Sequence, residues 1–155
     1  SEIVERFGKG VLTPGGDIDR AALGRIVFSD AKARRDLEDI THPSIIGRIA
    51  EEIDRFRAES GSENRVFAVE VPLLIECGLA EMVDEVLLVA AEQETQLDRL
   101  TSRTQMSRDE ALRRIRSQMP LDEKIKHADR VIWNDGTLES LGQSVRSIWE
   151  EILLL

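Results

Sequence analysis

An α/β fold with a mainly parallel sheet is predicted by three features of this sequence. A run of β-branched and apolar residues, Val66-Phe67-Ala68-Val69-Glu70-Val71, stops abruptly at Pro72 and is followed by a carboxylate at Glu76. Two further apolar runs, Glu85 to Ala91 and Arg130 to Asn134, alternate with stretches of helical periodicity. Amphipathic segments stand before and after these runs, and strands buried on both faces need such cover. Strands alternating with helices are joined by right-handed crossovers, and ligands gather beyond the carboxyl ends of the strands. The working edge is therefore expected near Pro72 to Glu76.

In chain order, Ser1 to Phe7 reads as a helix closed by Gly8 and Gly10, and Thr13-Pro14-Gly15-Gly16 as a turn. Asp19 is placed to cap a helix with Leu23, Ile26 and Val27 on one face, and Ser29 or Asp30 to cap a short one through Leu37 and Ile40. Thr41-His42-Pro43 is expected to break the path, because the residue before a proline is pushed out of the helical region. Ile45, Ile46, Ile49, Ile53 and Phe56 then repeat at helical spacing up to Gly61. Residues 17–60 are thus a helical run without a strand. After the first strand, at 65–71, the order is strand 85–91, helix 94–103, a helix from Ser107 to Pro120, strand 130–134 and a last helix capped by Thr137. Ser107 and Glu110 have the spacing of a capping box, in which each side chain satisfies the other's backbone amide. The last helix carries Leu141, Val145, Ile148, Trp149 and Ile152 as one apolar stripe.

Composition excludes several classes. The chain has 155 residues, 41% hydrophobic and 33% charged, with no run near the roughly 18 apolar residues of a spanning helix and no opening signal peptide. A single domain, no membrane contact and a cytoplasmic location are expected. A lone cysteine, Cys77, cannot form an internal disulfide and reads as an inert thiol, and two isolated histidines make no zinc site. A net charge of −9 argues against a nucleic-acid surface. That charge is uneven: residues 99–130 carry nine basic and five acidic side chains, which leaves the rest at −13. A positive region on an acidic protein suits either a polyanionic small ligand, such as a phosphate chain, or a solvated helix face.

Arg114 and Gln118 lie four apart on the capped helix, and Arg103 falls just before it. Guanidinium groups gathered in this way suit a phosphoryl-transfer lid that clamps phosphate oxygens on closing, while salt bridges to Asp109 or Glu110 are the structural alternative. Asn134, at a strand end before Asp135-Gly136, either reads an adenine edge or holds a turn. His42 either binds a phosphate or ribose or serves the helix junction.

Six blocks in register carry a family resemblance: Gly16 to Phe28, Leu37 to Pro43, Val71-Pro-Leu-Leu-Ile-Glu76, Gln96 to Leu100, Arg114 to Gln118, and Ala128-Asp129 with Asn134. In that order they resemble dephospho-CoA kinase, a family similar to the nucleoside monophosphate kinases. The resemblance implies a three-layer P-loop NTPase-like parallel sheet with a helical CoA-acceptor insert and a lid. It implies transfer of the ATP γ-phosphate, with Mg2+, to the 3′-hydroxyl of dephospho-CoA, the last step of coenzyme A biosynthesis. Residues 17–60 would accept the CoA substrate, 65–102 and 129–155 would form the core, and 103–128 the lid. Arg103 would be catalytic and, with Arg114 and Asn134, would bind ATP. Arg25, His42, Pro43, Pro72, Leu73 and Leu74 would line the acceptor site, and no protein-built metal site is expected among them.

One departure is large. The family opens with a strand, a glycine-rich loop ending in Gly-Lys-Ser/Thr and a second acidic strand, and no such loop occurs in this sequence. The chain is therefore expected to be the C-terminal portion of a kinase, inactive alone and partnered by the N-terminal segment of the same protein. A natural protein without the loop would have little reason to keep the lid arginines. Smaller departures are Thr104, where the family often has an acidic residue, and Ile75, where an aromatic is usual. In the family the loop strand lies between those at 65–71 and 85–91. These two are expected either to stand apart by two strand spacings, roughly 10 Å, or to pair directly, and the chain is not expected to fold stably alone. A non-catalytic CoA-binding module on the same scaffold is the alternative. A kinase for another nucleotide-like acceptor fits the lid but not the His42-Pro43 block.

Overall fold

The computed structural model describes residues 1–59, 65–104 and 106–153, in two compact units, Ser1–Ser62 and Glu63–Leu155. The first unit is helical. Helix α1 (Glu2–Phe7) ends at Gly8, whose φ of 78° is one that a side chain would strain. The Thr13 to Gly16 turn is closed by the Gly16 amide donating to the Thr13 carbonyl at 2.9 Å, so that Leu12 and Ile18 meet in an antiparallel bridge. Helix α2 (Arg20–Ser29) is capped by Asp19, whose Oδ1 accepts from the amides of Ala21 and Ala22. Leu23 and Val27, one turn apart, join Val11 and Ala33 in a core covered by Ile3, Phe7, Ile18, Phe28 and Leu37. Ile26, expected on that face, is instead exposed.

Asp30 ends α2 and caps α3 (Ala31–Ala58), accepting from the Lys32 and Ala33 amides at 2.7 and 3.3 Å. Those bonds hold its carboxyl below the ordinary value of 3.8. A depressed folded-state value stabilises the fold above the unfolded value and is lost as pH falls through the folded one. Asp30→Asn keeps the cap acceptor without the titration. Its unfolding temperature should match that of the parent near neutrality and fall less steeply on acidification below pH 3.8; parallel acid limbs would contradict this.

The break expected at Thr41-His42-Pro43 does not occur, because α3 runs through Pro43. A proline inside a helix removes one amide donor and crowds the preceding turn. The carbonyl that loses its donor is that of Asp39, while hydroxyls on either side bond other carbonyls of the helix, Thr41 Oγ1 to Leu37 at 2.8 Å and Ser44 Oγ to Thr41 at 3.0 Å. The expected stop at Gly61 lies outside the described residues.

In the second unit, strands β1 (Leu87–Ala90) and β2 (Arg130–Trp133) pair in parallel, Leu87 with Arg130 through Ala90 with Trp133. The α-helices of this unit are α4 (Gln93–Arg103), α5 (Arg108–Arg116), α6 (Leu121–Ile125) and α7 (Leu138–Ile152). Leu79, Ala90, Leu97, Ala111 and Ile132 are buried. Arg130, at the foot of β2, is bracketed by Glu85 and Glu151, and these carboxylates raise its pKa further above the ordinary arginine value. The strand expected at 65–71 is not formed: among the described residues the sheet has two strands, and β1 pairs with β2 rather than with that segment. An apolar run reports a capacity for burial, whereas a strand exists only with a ladder partner, and Val66 and Phe67 are exposed. The stripe on α7 is likewise uncovered at Val145 and Trp149. No helix among the described residues is long and apolar enough to cross a membrane.

Candidate phosphate-binding pocket

Helix α4 buries Leu97 completely, and that one anchor fixes which way the rest of the helix faces. Gln96, Arg99, Leu100 and Arg103, three to four residues apart, line a single pocket. Helix α5 forms the other wall. The Ser107–Glu110 capping box starts it, with the Ser107 amide and hydroxyl both donating to Glu110 Oε2 at 2.9 and 2.8 Å. Fully buried Ala111 seats it, and Arg114, Ile115 and Gln118 face the pocket. The sequence reading carried this helix to Pro120; it ends at Arg116, and α6 begins just beyond the proline.

The pocket measures about 290 Å³, near the low end of the range for ligand sites, and so suits part of a nucleotide. Its polar lining is three guanidinium groups and two amides, with no carboxylate. Among the described residues no carboxylate pairs with Arg99 or Arg103. By contrast, Arg108 is tied to Glu94 at 2.5 Å, which raises its pKa above the ordinary arginine value. Arginines grouped in one pocket repel one another, and an anion relieves that repulsion through bidentate, charge-assisted hydrogen bonds.

One lining residue reaches the carboxyl end of β2. Arg99 Nη2 donates to Asn134 Oδ1 at 3.4 Å, and the Asn134 amide donates to the Ala90 carbonyl at 2.8 Å, extending the ladder past β2. Asp135 Oδ1 accepts from the Glu92 amide at 2.9 Å, which stitches the two strand ends together. Asn134 is thus held in a turn and set against a pocket arginine at once, so its two readings are compatible.

Residues 1–140 match the family model for dephospho-CoA kinase. The chain belongs to that family. It is 44% identical over 147 residues to the dephospho-CoA kinase of Symbiobacterium thermophilum, covering 95% of this chain and 60% of that protein. It is 46% identical over 153 residues to that of Geobacter metallireducens, covering 96% and 73%. The solved structure of dephospho-CoA kinase from Campylobacter jejuni, 34% identical, superposes with a TM-score of 0.62 over 97% of this chain and 73% of that one. Dephospho-CoA kinases are ATP-dependent transferases, so a nucleotide is an expected ligand of this family. An α/β fold with a parallel sheet accords with these neighbours.

The structure brings Arg103 and Arg114 together in one pocket and sets Asn134 beside it through Arg99. Pro72, Leu73 and Leu74 lie in the same unit, in a coiled turn closed by Gly78 at a φ of 68°. Arg25, exposed on α2, and His42 and Pro43, within α3, belong to the first unit. Gln96 and Arg99 were not singled out for the site by sequence reasoning. The signal was present in their spacing, since Gln96, Arg99 and Arg103 mark one helix face and buried Leu97 the other. Among the described residues no three His, Cys, Asp or Glu side chains gather as a metal site. Magnesium often keeps most of its ligands as phosphate and water, with only one or two carboxylates. A nucleotide in this pocket would therefore bring much of the ion's shell with it.

Proposed function

We propose that this chain forms the phosphate-clamping and acceptor-binding part of a dephospho-CoA kinase that acts in the cytoplasm, with ATP and Mg2+ as donor. The observation that carries the reading is the carboxylate-free pocket of Arg99, Arg103 and Arg114 at the sheet edge, in a chain of this family. In the transfer, the acceptor's 3′-hydroxyl oxygen bonds to the γ-phosphorus and gives up its proton to water as the bond to the bridging oxygen breaks. ADP leaves with that electron pair, and negative charge spreads over the transferring oxygens. Arg103 and Arg114 stabilise that charge once the walls of the pocket draw together, and Asn134 takes the adenine edge. The region 103–128 serves as the lid and 17–60 as the acceptor-binding part. A non-catalytic module is not favoured, because the relatives are dephospho-CoA kinases.

Arg25, His42 and Pro43, together with Pro72, Leu73 and Leu74, contact dephospho-CoA in this reading, supported by the family pattern of both blocks. The protein expressed from its whole gene should turn ATP and dephospho-CoA into ADP and CoA. Absence of CoA under conditions where the protein is folded would sink the proposal. In an NMR titration with dephospho-CoA, signals from both blocks should shift; a response confined to residues beyond 95 would mean the acceptor site has been misplaced.

A further inference from the structure

The turn that follows Pro72 aims one side chain at the far wall of the pocket. The Cys77 amide donates to the Leu73 carbonyl at 2.9 Å and the Gly78 amide to the Ile75 carbonyl at 3.0 Å, so Glu76 projects from a fixed coil. Its Oε1 accepts from the Met119 amide at 3.2 Å and from Lys124 Nζ at 2.8 Å. Lys124 Nζ also donates to Gln118 Oε1 at 3.4 Å, and Gln118 lines the pocket. With side chains 19% and 12% exposed, this ion pair is largely enclosed. Glu76 Oε2 is buried and accepts no hydrogen bond there.

A carboxylate buried with one oxygen unsatisfied is a costly way to hold a loop, since a neutral side chain would hold it without that penalty. What the charge adds is a grip on Lys124 and, through it, on the link between α5 and α6. We infer that Glu76 is a positioning residue that sets where α5 presents Arg114 and Gln118 to the phosphates, from the turn that carries Pro72, Leu73 and Leu74. Occupancy at that turn and the setting of the arginine wall are then mechanically joined. The inference rests on the kinase reading, and it assigns Glu76 no contact with either substrate.

The test is a double-mutant cycle in the whole-gene protein, assayed well below its unfolding temperature. Glu76→Gln keeps the shape and an acceptor for Met119 but removes the charge that grips Lys124. Its kcat should fall about tenfold while KM for dephospho-CoA changes less than twofold, since small misplacements of a clamp act on the reacting geometry. Lys124→Met, which breaks the pair from the other side, should give the same loss and serves if Glu76→Gln does not fold. The deciding measurement is Glu76→Gln in an Arg114→Ala background: if Glu76 acts through α5, its tenfold effect should vanish there. An undiminished loss in that background, or full turnover in both single variants, would overturn the inference. An inactive parent protein would instead overturn the kinase reading, so the two failures are distinguishable.

Discussion

Arg103→Ala should lower the turnover of the whole-gene protein by about 10³-fold, at the lower end of the 10³ to 10⁵ that a well-placed arginine contributes to phosphoryl transfer. The side chain is exposed in the last turn of α4, in a pocket without a carboxylate, and no described acidic residue pairs with it. Its removal therefore breaks no ion pair among the described residues, and the stability change should stay within about 0.5 kcal/mol, as for an ordinary surface substitution. That split is what identifies the role. A structural arginine loses stability and activity together, whereas a clamp loses turnover alone. Thermal unfolding beside steady-state kinetics separates the two, and turnover within a factor of three of the parent would remove Arg103 from the mechanism.

Leu97→Ala should produce the reverse pattern. Leu97 is fully buried and is the anchor from which the pocket face of α4 takes its direction. Truncating a buried leucine loses transfer free energy and leaves a cavity, together about 2–5 kcal/mol. The expectation here is about 3 kcal/mol by urea unfolding, with a lower midpoint and an unchanged slope. In the fraction that remains folded, turnover should fall by less than tenfold, because Leu97 reaches neither the pocket nor the substrates. A loss under 1 kcal/mol would mean that α4 is seated by something other than this side chain.

Features that depend on a few neighbouring residues could be read in advance. The Ser107–Glu110 box, the Asp19 and Thr137 caps, the Thr13 to Gly16 turn and the 85–91 and 130–134 runs all take the form their local chemistry dictates. The fold class and the arginine wall of α5 were legible for the same reason. The misreadings mostly turn on partners. Pro43 stays inside α3, with residues 31–58 helical on both sides of it, an outcome that a rule about proline alone does not anticipate. The 65–71 run has strand composition but no place in the described ladder, since composition does not choose a neighbour. Glu76 and Lys124 stand 48 positions apart, and only the folded chain shows that they meet.

The parallel pairing of β1 with β2 also sets a clock. Val86 and Asp129 at one end of the ladder, and Glu92 and Asp135 at the other, join across 43 residues of chain. Closing a loop of that length costs on the order of 3 kcal/mol of entropy before any ladder bond repays it. All of α4, α5 and α6 lies inside the loop, so the pocket walls are the material that shortens it. Helices form in well under a millisecond, whereas non-local strand pairing is slow. The arginine wall should therefore take shape early and the sheet edge late. An anion that gathers the arginines during folding would draw the two strand ends together sooner, so phosphate should speed refolding of this unit more than it slows unfolding.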